Sequence, residues 1–236
     1  QSWLSTDGHE EHSRAQQQGY YLNAGYRFNR EWELRFLASY VSAQTLAPMP
    51  DNVTGVTWPM AERFDTETVF TTLTLSHRHD RADGFVKAYW NDTDFDLLQE
   101  LNNGVPYAGG GVSSRQEITL FGVRAKETTR LWQGGELVAG ADLDSSDLKN
   151  TQRTNSGQVV PGVNGGRAVR GWNYPDITLF SPYVAVSQMT GSRDAFHFIP
   201  SAGFRYYFHN EFKDKAAPQV GVVMGYGNTD FSASYA

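Results

Sequence analysis

FDTETVFTTLTLSHRHDRADGFVKAYWNDTDFD, residues Phe64 to Asp96, holds two long alternating segments joined at Asp80-Arg81-Ala82-Asp83. On the first arm Val69, Thr71, Leu73 and Leu75 fall on one face, and Phe70, Thr72, Thr74 and Ser76 on the other. On the second arm Val86, Ala88 and Trp90 oppose Lys87, Tyr89 and Asn91. Successive side chains of a strand point to opposite faces, so polarity with a period of two marks strands, where a helix would smear it. Two such arms around a tight polar joint predict a β-hairpin. Each arm exceeds the usual strand of roughly five or six residues. Both are long enough to cross a bilayer at a tilt, which takes about nine to eleven residues.

The same alternation recurs outward from this hairpin. Before it come Gly19 to Phe28, a short turn at Asn29-Arg30, and Trp32 to Ala43. After it come Gln116 to Trp132, a turn at Gln133-Gly134-Gly135, and a return strand with Leu137, Ala139, Ala141 and Leu143 on one face. Leu179 to Gln188 is a poorer strand; Phe196 to His209, Pro218 to Tyr226 and a last strand through Phe231 to Tyr235 follow. Ser2 to Gly8 reads as the tail of a strand, and His9 to Gln18 as a polar loop. Short joints alternate with long loops at Leu46 to Arg63, Leu101 to Arg115 and Arg153 to Asp176. Short turns at one end and long loops at the other are the signature of an outer-membrane barrel. Tyr26, Phe28, Trp32, Trp132 and Tyr226 gather beside the short joints, as an interfacial girdle requires. Arg27, Arg35, Arg124, Lys126 and Arg205 all fall on the polar face. Any one of them facing lipid near the midplane would cost roughly 2–4 kcal/mol.

Composition fits this reading. The 236 residues are 39% hydrophobic and 14% aromatic, and the net charge of -6 argues against a general nucleic-acid binder, which would carry a basic face. A mean hydropathy of -0.51 would argue against a helical membrane protein but does not count against a β-barrel, in which only alternate residues meet lipid. With no cysteine, neither a disulfide framework nor a thiolate metal site is available.

Gly19 to Ala43, GYYLNAGYRFNREWELRFLASYVSA, and Ala216 to Ala236, AAPQVGVVMGYGNTDFSASYA, resemble the barrel strands of TonB-dependent outer-membrane receptors. The resemblance extends in pattern over most of the chain. It implies an all-β, antiparallel transmembrane barrel of 22 strands, plugged by an N-terminal domain and taking up scarce ligands such as ferric siderophores or cobalamin. It also implies energy supplied by the TonB complex through that plug. The family's energy-coupling box and plug have no counterpart in residues 1–236. About eleven strands are legible, whereas single-chain bacterial barrels have an even number. The closing SASYA also lacks the usual terminal aromatic. The expectation is therefore an internal piece of a larger receptor barrel. The competing expectations are a complete small diffusion pore and a soluble β-rich binding or adhesion domain.

Candidate ligand-binding residues lie in the long loops. Arg167, Arg170 and Trp172, in RAVRGW, combine guanidiniums that pair bidentately with carboxylates and a flat indole surface. Loop solvation or contact with lipopolysaccharide is the competing role for that segment. Trp58, Arg63 and Tyr107 are further candidates. His9-Glu10-Glu11-His12 has the wrong spacing for the helical H-E-x-x-H zinc motif. His77 and His79 read as an interfacial polar pair, and His197 and His209 stand too far apart on one strand to form a site. Asp92, Asp94 and Asp96 share a face that would suit a divalent cation or, more simply, a hydrated rim or lumen wall. The sequence contains no catalytic constellation, phosphate-cradling loop or base-stacking module, so neither an enzymatic role nor a cofactor is expected. The expected surroundings are outer-membrane lipid and lipopolysaccharide.

Overall fold

A computed structural model describes residues 2–6, 14–48, 61–102, 105–106, 112–154, 169–192 and 194–235. The chain forms β1 (Ser2–Thr6), β2 (Arg14–Arg27), β3 (Trp32–Pro48), β4 (Ala61–Arg78), β5 (Ala82–Asn102), β6 (Val105–Pro106) and β7 (Val112–Trp132). It continues as β8 (Gly135–Thr154), β9 (Val169–Asn173), β10 (Ile177–Gln188), β11 (Thr190–Gly191), β12 (Phe196–His209), β13 (Lys215–Tyr226) and β14 (Thr229–Tyr235). All belong to one antiparallel sheet in the order β1-β2-β3-β4-β5-β7-β8-β10-β12-β13-β14. The short pieces β6, β9 and β11 pair at its sides with β5, β8 and β12. Chain neighbours are therefore sheet neighbours throughout, as in an up-and-down wall.

The turns at the short-joint end explain themselves locally. Gly134 and Gly227 have φ of 74° and 58°, a region that L side chains enter only at a cost. They close two-residue hairpins between β7 and β8 and between β13 and β14. Asn29 uses its side chain instead, accepting hydrogen bonds from the backbone N–H of Glu31 and Trp32 at 2.8 Å each.

Register makes the two faces explicit. Ala24, Phe36, Leu73, Ala88, Val123, Leu143, Phe180 and Phe208 form one cross-strand row, and Tyr26, Leu34, Leu75, Val86, Ala125, Ala141 and Pro182 the next. No charge interrupts either row. The ladder from β10 to β12 skips Ser181 and Pro182, where proline offers no N–H; this is the poorer strand of the sequence. The apolar register carries exposed side chains from edge to edge, including Leu22, Phe36, Leu73, Val86, Trp90, Phe121, Phe180, Phe204 and Met224. The buried polar residues Thr128, Ser181 and His197 all lie on the opposite register. Among the described residues Tyr89 is the sole buried hydrophobic side chain, so the sheet has no apolar core of the kind a soluble sandwich requires. An apolar strip this wide would be an aggregation liability in water, whereas lipid solvates it. The apolar register is accordingly termed outward and the polar register inward.

The strands run further than the sequence alternation indicates. β2 starts at Arg14, within the predicted polar loop, and β3 continues to Pro48. β5 and β7 are each 21 residues long, and β9 places a strand inside the predicted loop from Arg153 to Asp176. At about 3.3 Å per residue β5 measures roughly 70 Å along its axis, twice what a tilted crossing needs.

Candidate functional site

The inward register divides into two zones. At the level of the apolar belt it is charged: Arg27, Glu33, Lys126 and Arg205 share one cross-strand row, and Arg35, Lys87, Arg124 and Asp142 the next. Arg205 donates to Asp142 at 3.0 Å and lies 4.4 Å from the Tyr183 ring centroid. The Tyr89 hydroxyl donates to Asp144, and Arg124 stands 5.4 Å from the Tyr89 ring centroid. Both tyrosines lie over glycine. A Cβ at Gly122 would collide with the Tyr89 ring, and one at Gly140 with the Tyr183 ring.

Beyond the belt, towards the long loops, the polarity of the two faces exchanges. The inward rows become Tyr21, Ser39, Phe70, Asn91, Leu120 and Ser146; then Gly19, Val41, Thr68, Thr93, Ile118 and Leu148; then Gln17, Ala43, Thr66, Phe95, Gln116 and Asn150. These rows contain no Asp, Glu, Lys or Arg. Phe64 and Phe95 approach to 5.9 Å between ring centroids, Thr68 and Thr93 share a 3.2 Å hydrogen bond, and Ser114 donates to Asn150 at 3.1 Å. The outward rows meanwhile carry Glu67, Asp94, Glu117 and Lys149, and next Asp65, Asp96 and Arg115. Arg115 bridges Asp94 at 2.7 Å and Glu117 at 3.0 Å. Asp94, and secondarily Asp96 and Glu117, raise the pKa of its guanidinium above the ordinary arginine value. This wall is wet outside and uncharged inside.

The predicted site residues fall in several places. Arg63 stands on β4 in the outward register, ion-paired with Asp65 at 2.6 Å, while Gln44 donates to the same carboxylate at 3.0 Å. Arg170 and Trp172 belong to β9, where they pair with Gln152 and Asn150, positions of the inward register. Trp58, Tyr107, Arg167 and the His9–His12 segment lie outside the described residues. Asp92, Asp94 and Asp96 follow the register of Val86, Ala88 and Trp90, so they line the outer rim and not the lumen wall. Among the described residues no group of His, Asp or Glu is arranged to hold a metal ion. His77 meets Glu127 at 2.8 Å across Gly84, with the Trp32 ring 5.0 Å and the His79 ring 5.2 Å away. It is a polar cluster within the girdle, on the outward register. The uncharged inward rows were not singled out from sequence. Their signal was present in the runs FDTETVF and NDTDFDL, where every charge falls on alternate positions.

Among solved structures, the ferric preacinetobactin receptor BauA from Acinetobacter baumannii matches 98% of the chain with a TM-score of 0.62 at 8% identity. P. aeruginosa FpvA in complex with pyoverdine and iron matches 98% with a TM-score of 0.64 at 14% identity. The unliganded ferric citrate transporter FecA matches 95% with a TM-score of 0.55 at 13% identity. The fold is that of the TonB-dependent receptor barrel. The chain spans 41% of BauA and 36% of FpvA and of FecA. No protein-family model and no curated protein sequence matches it.

Proposed function

We propose that this chain is the middle of the barrel of a ligand-gated active transporter in the bacterial outer membrane, a TonB-dependent receptor for a scarce nutrient such as a ferric siderophore. The observation that carries this reading is the single sheet itself: apolar outward and charged inward at membrane level, with the fold of ferric-ligand receptors over nearly its whole length. The chain's covering less than half of those receptors suits a piece of a longer protein. Among the described residues β1 and β14 do not pair with each other. Backbone groups in lipid must be satisfied by pairing, so further strands would flank both edges and close the barrel. A plug outside residues 1–236 would gate the lumen and contact the TonB complex, and the outer surface would meet lipid and lipopolysaccharide. Trp58, Arg63, Tyr107, Arg167, Arg170 and Trp172 are proposed to help capture the ligand, which undergoes no chemistry in the process.

The test is uptake. Cells starved of iron, with and without the full-length gene, are given radiolabelled ferric siderophores in the presence or absence of a protonophore. Uptake that requires both the gene and the proton gradient is the expected result. Gene-dependent flux of small solutes that ignores the protonophore would replace the receptor by a passive pore.

A further inference from the structure

Resting on the transporter reading, we propose that the inward wall above the membrane takes an uncharged ligand, one rich in hydroxyl or amide groups and bearing a flat apolar face. Charge placement is the first argument. Residues 64–70, 91–97 and 115–120 are dense in charge, yet all of it is outward; the facing inward positions are threonine, asparagine, glutamine, phenylalanine, leucine and isoleucine. A multiply charged chelate entering these three rows would lose hydration and find no opposite charge in them, Arg170 standing one row further out on β9, and such desolvation is costly without a partner. Inward acidic and basic side chains return below the vestibule, with Asp144 in the row of Tyr89 and then Lys87 and Arg124.

The second argument is what the wall does offer. Hydroxyls and side-chain amides both donate and accept, so Thr66, Thr68, Thr93, Asn91, Gln116 and Asn150 can follow a ligand bearing alternating donors and acceptors. Phe64, Phe70 and Phe95 supply flat apolar surface between them. Phe95 and Thr93 are half-buried, leaving their free faces towards the interior. Convergent polar groups set among aromatic side chains are the usual make-up of a small-molecule site. Two kinds of ligand share this chemistry, a neutral ferric trihydroxamate and a neutral oligosaccharide.

The test uses the full-length receptor in outer membranes and a panel of probes: a neutral ferric trihydroxamate, a maltooligosaccharide, ferric citrate and a ferric tris-catecholate. Binding is measured at low and high sodium chloride, and uptake with and without a protonophore. A neutral probe is expected to bind, with a dissociation constant that changes less than about twofold across the salt range, since no ion pair is there to be screened. Which neutral probe binds tells chelate from glycan. Thr93→Asp is expected to weaken binding at least tenfold, Thr93→Val a few-fold, and Asp94→Asn, one residue on but outward, less than twofold. Should Thr93→Asp fail to assemble, the salt series on the unaltered protein decides alone. Binding of the anionic probes only, or a tenfold loss with salt, overturns the assignment and leaves the transporter reading intact. Neutral uptake that ignores the protonophore does the reverse. No binding by any probe sinks both.

Discussion

A side chain at position 122 would run into the Tyr89 ring and the Asp144 carboxylate, and one at 140 into Tyr183. These glycines are sockets. They let a tyrosine lie flat across the neighbouring strand, so that its ring covers backbone and its hydroxyl reaches a polar partner such as Asp144. Arg124 and Arg205 then rest near those rings. Gly122→Val is expected to destabilise the assembled barrel by about 1–3 kcal/mol, the usual range for overpacking a filled site. Combining it with Tyr89→Ala should recover part of that loss, because contacting residues are not additive. Urea midpoints of the four proteins in vesicles would show it, and strict additivity would mean that ring and glycine do not interact. The neighbouring Arg205–Asp142 pair has side chains 27% and 16% exposed, so removing one partner strands the other in a half-dry site. Asp142→Leu should therefore cost more than Asp142→Leu combined with Arg205→Leu, a comparison readable on the same urea curves.

At the scale of the strand, what matters is where the outward face changes from apolar to charged. On β4 the change falls between Val69 and Glu67, and on β5 between Trp90 and Asp92. It locates the outer membrane boundary more sharply than hydropathy does. Leu73→Arg, within the belt, should cost roughly 2–4 kcal/mol of folding free energy in vesicles, and Glu67→Arg, beyond it, less than about 1 kcal/mol. Equal costs would mean that the boundary lies elsewhere. The same change explains what could be read from sequence. Within the belt lipid and lumen differ so strongly that alternation names the strands, their faces and the lumenal arginines. Above it both faces meet water, and contrast fades. Arg14 to Gln18, RAQQQ, carries no alternation at all, yet its backbone pairs with Ser42 to Leu46. A polar run reads as loop when only side chains are consulted, because the ladder that makes it a strand is formed by the backbone. For the same reason the aspartates of NDTDFDL were legible as a row while their side of the wall was not. Only continuity of register with Val86 and Trp90 assigns it.

At the scale of the molecule, the sheet is a wall whose first and last strands each have one described neighbour. An edge strand offers a row of unpaired N–H and C=O groups, which in water invites aggregation and in lipid leaves polar groups unsatisfied. The described residues are held by ladders between adjacent strands and by almost no buried apolar contact, so little but closure defines the shape. Expressed alone in detergent, residues 1–236 should therefore fail to give a uniform monomer. Edge pairing between copies should produce a spread of oligomers on light scattering, without the heat-dependent gel shift of a closed barrel. If the proposed receptor reading holds, the native protein has an intact mass of several hundred residues, with a plug upstream and further strands at both edges, and gives that shift and a single species. A native mature chain bounded by Gln1 and Ala236, monomeric, heat-modifiable and conducting in planar bilayers, would require β1 and β14 to meet. The protein would then be a small pore, and its charged lumen rows, from Arg35 to Arg205, would set ion selectivity where in a receptor they would face a plug.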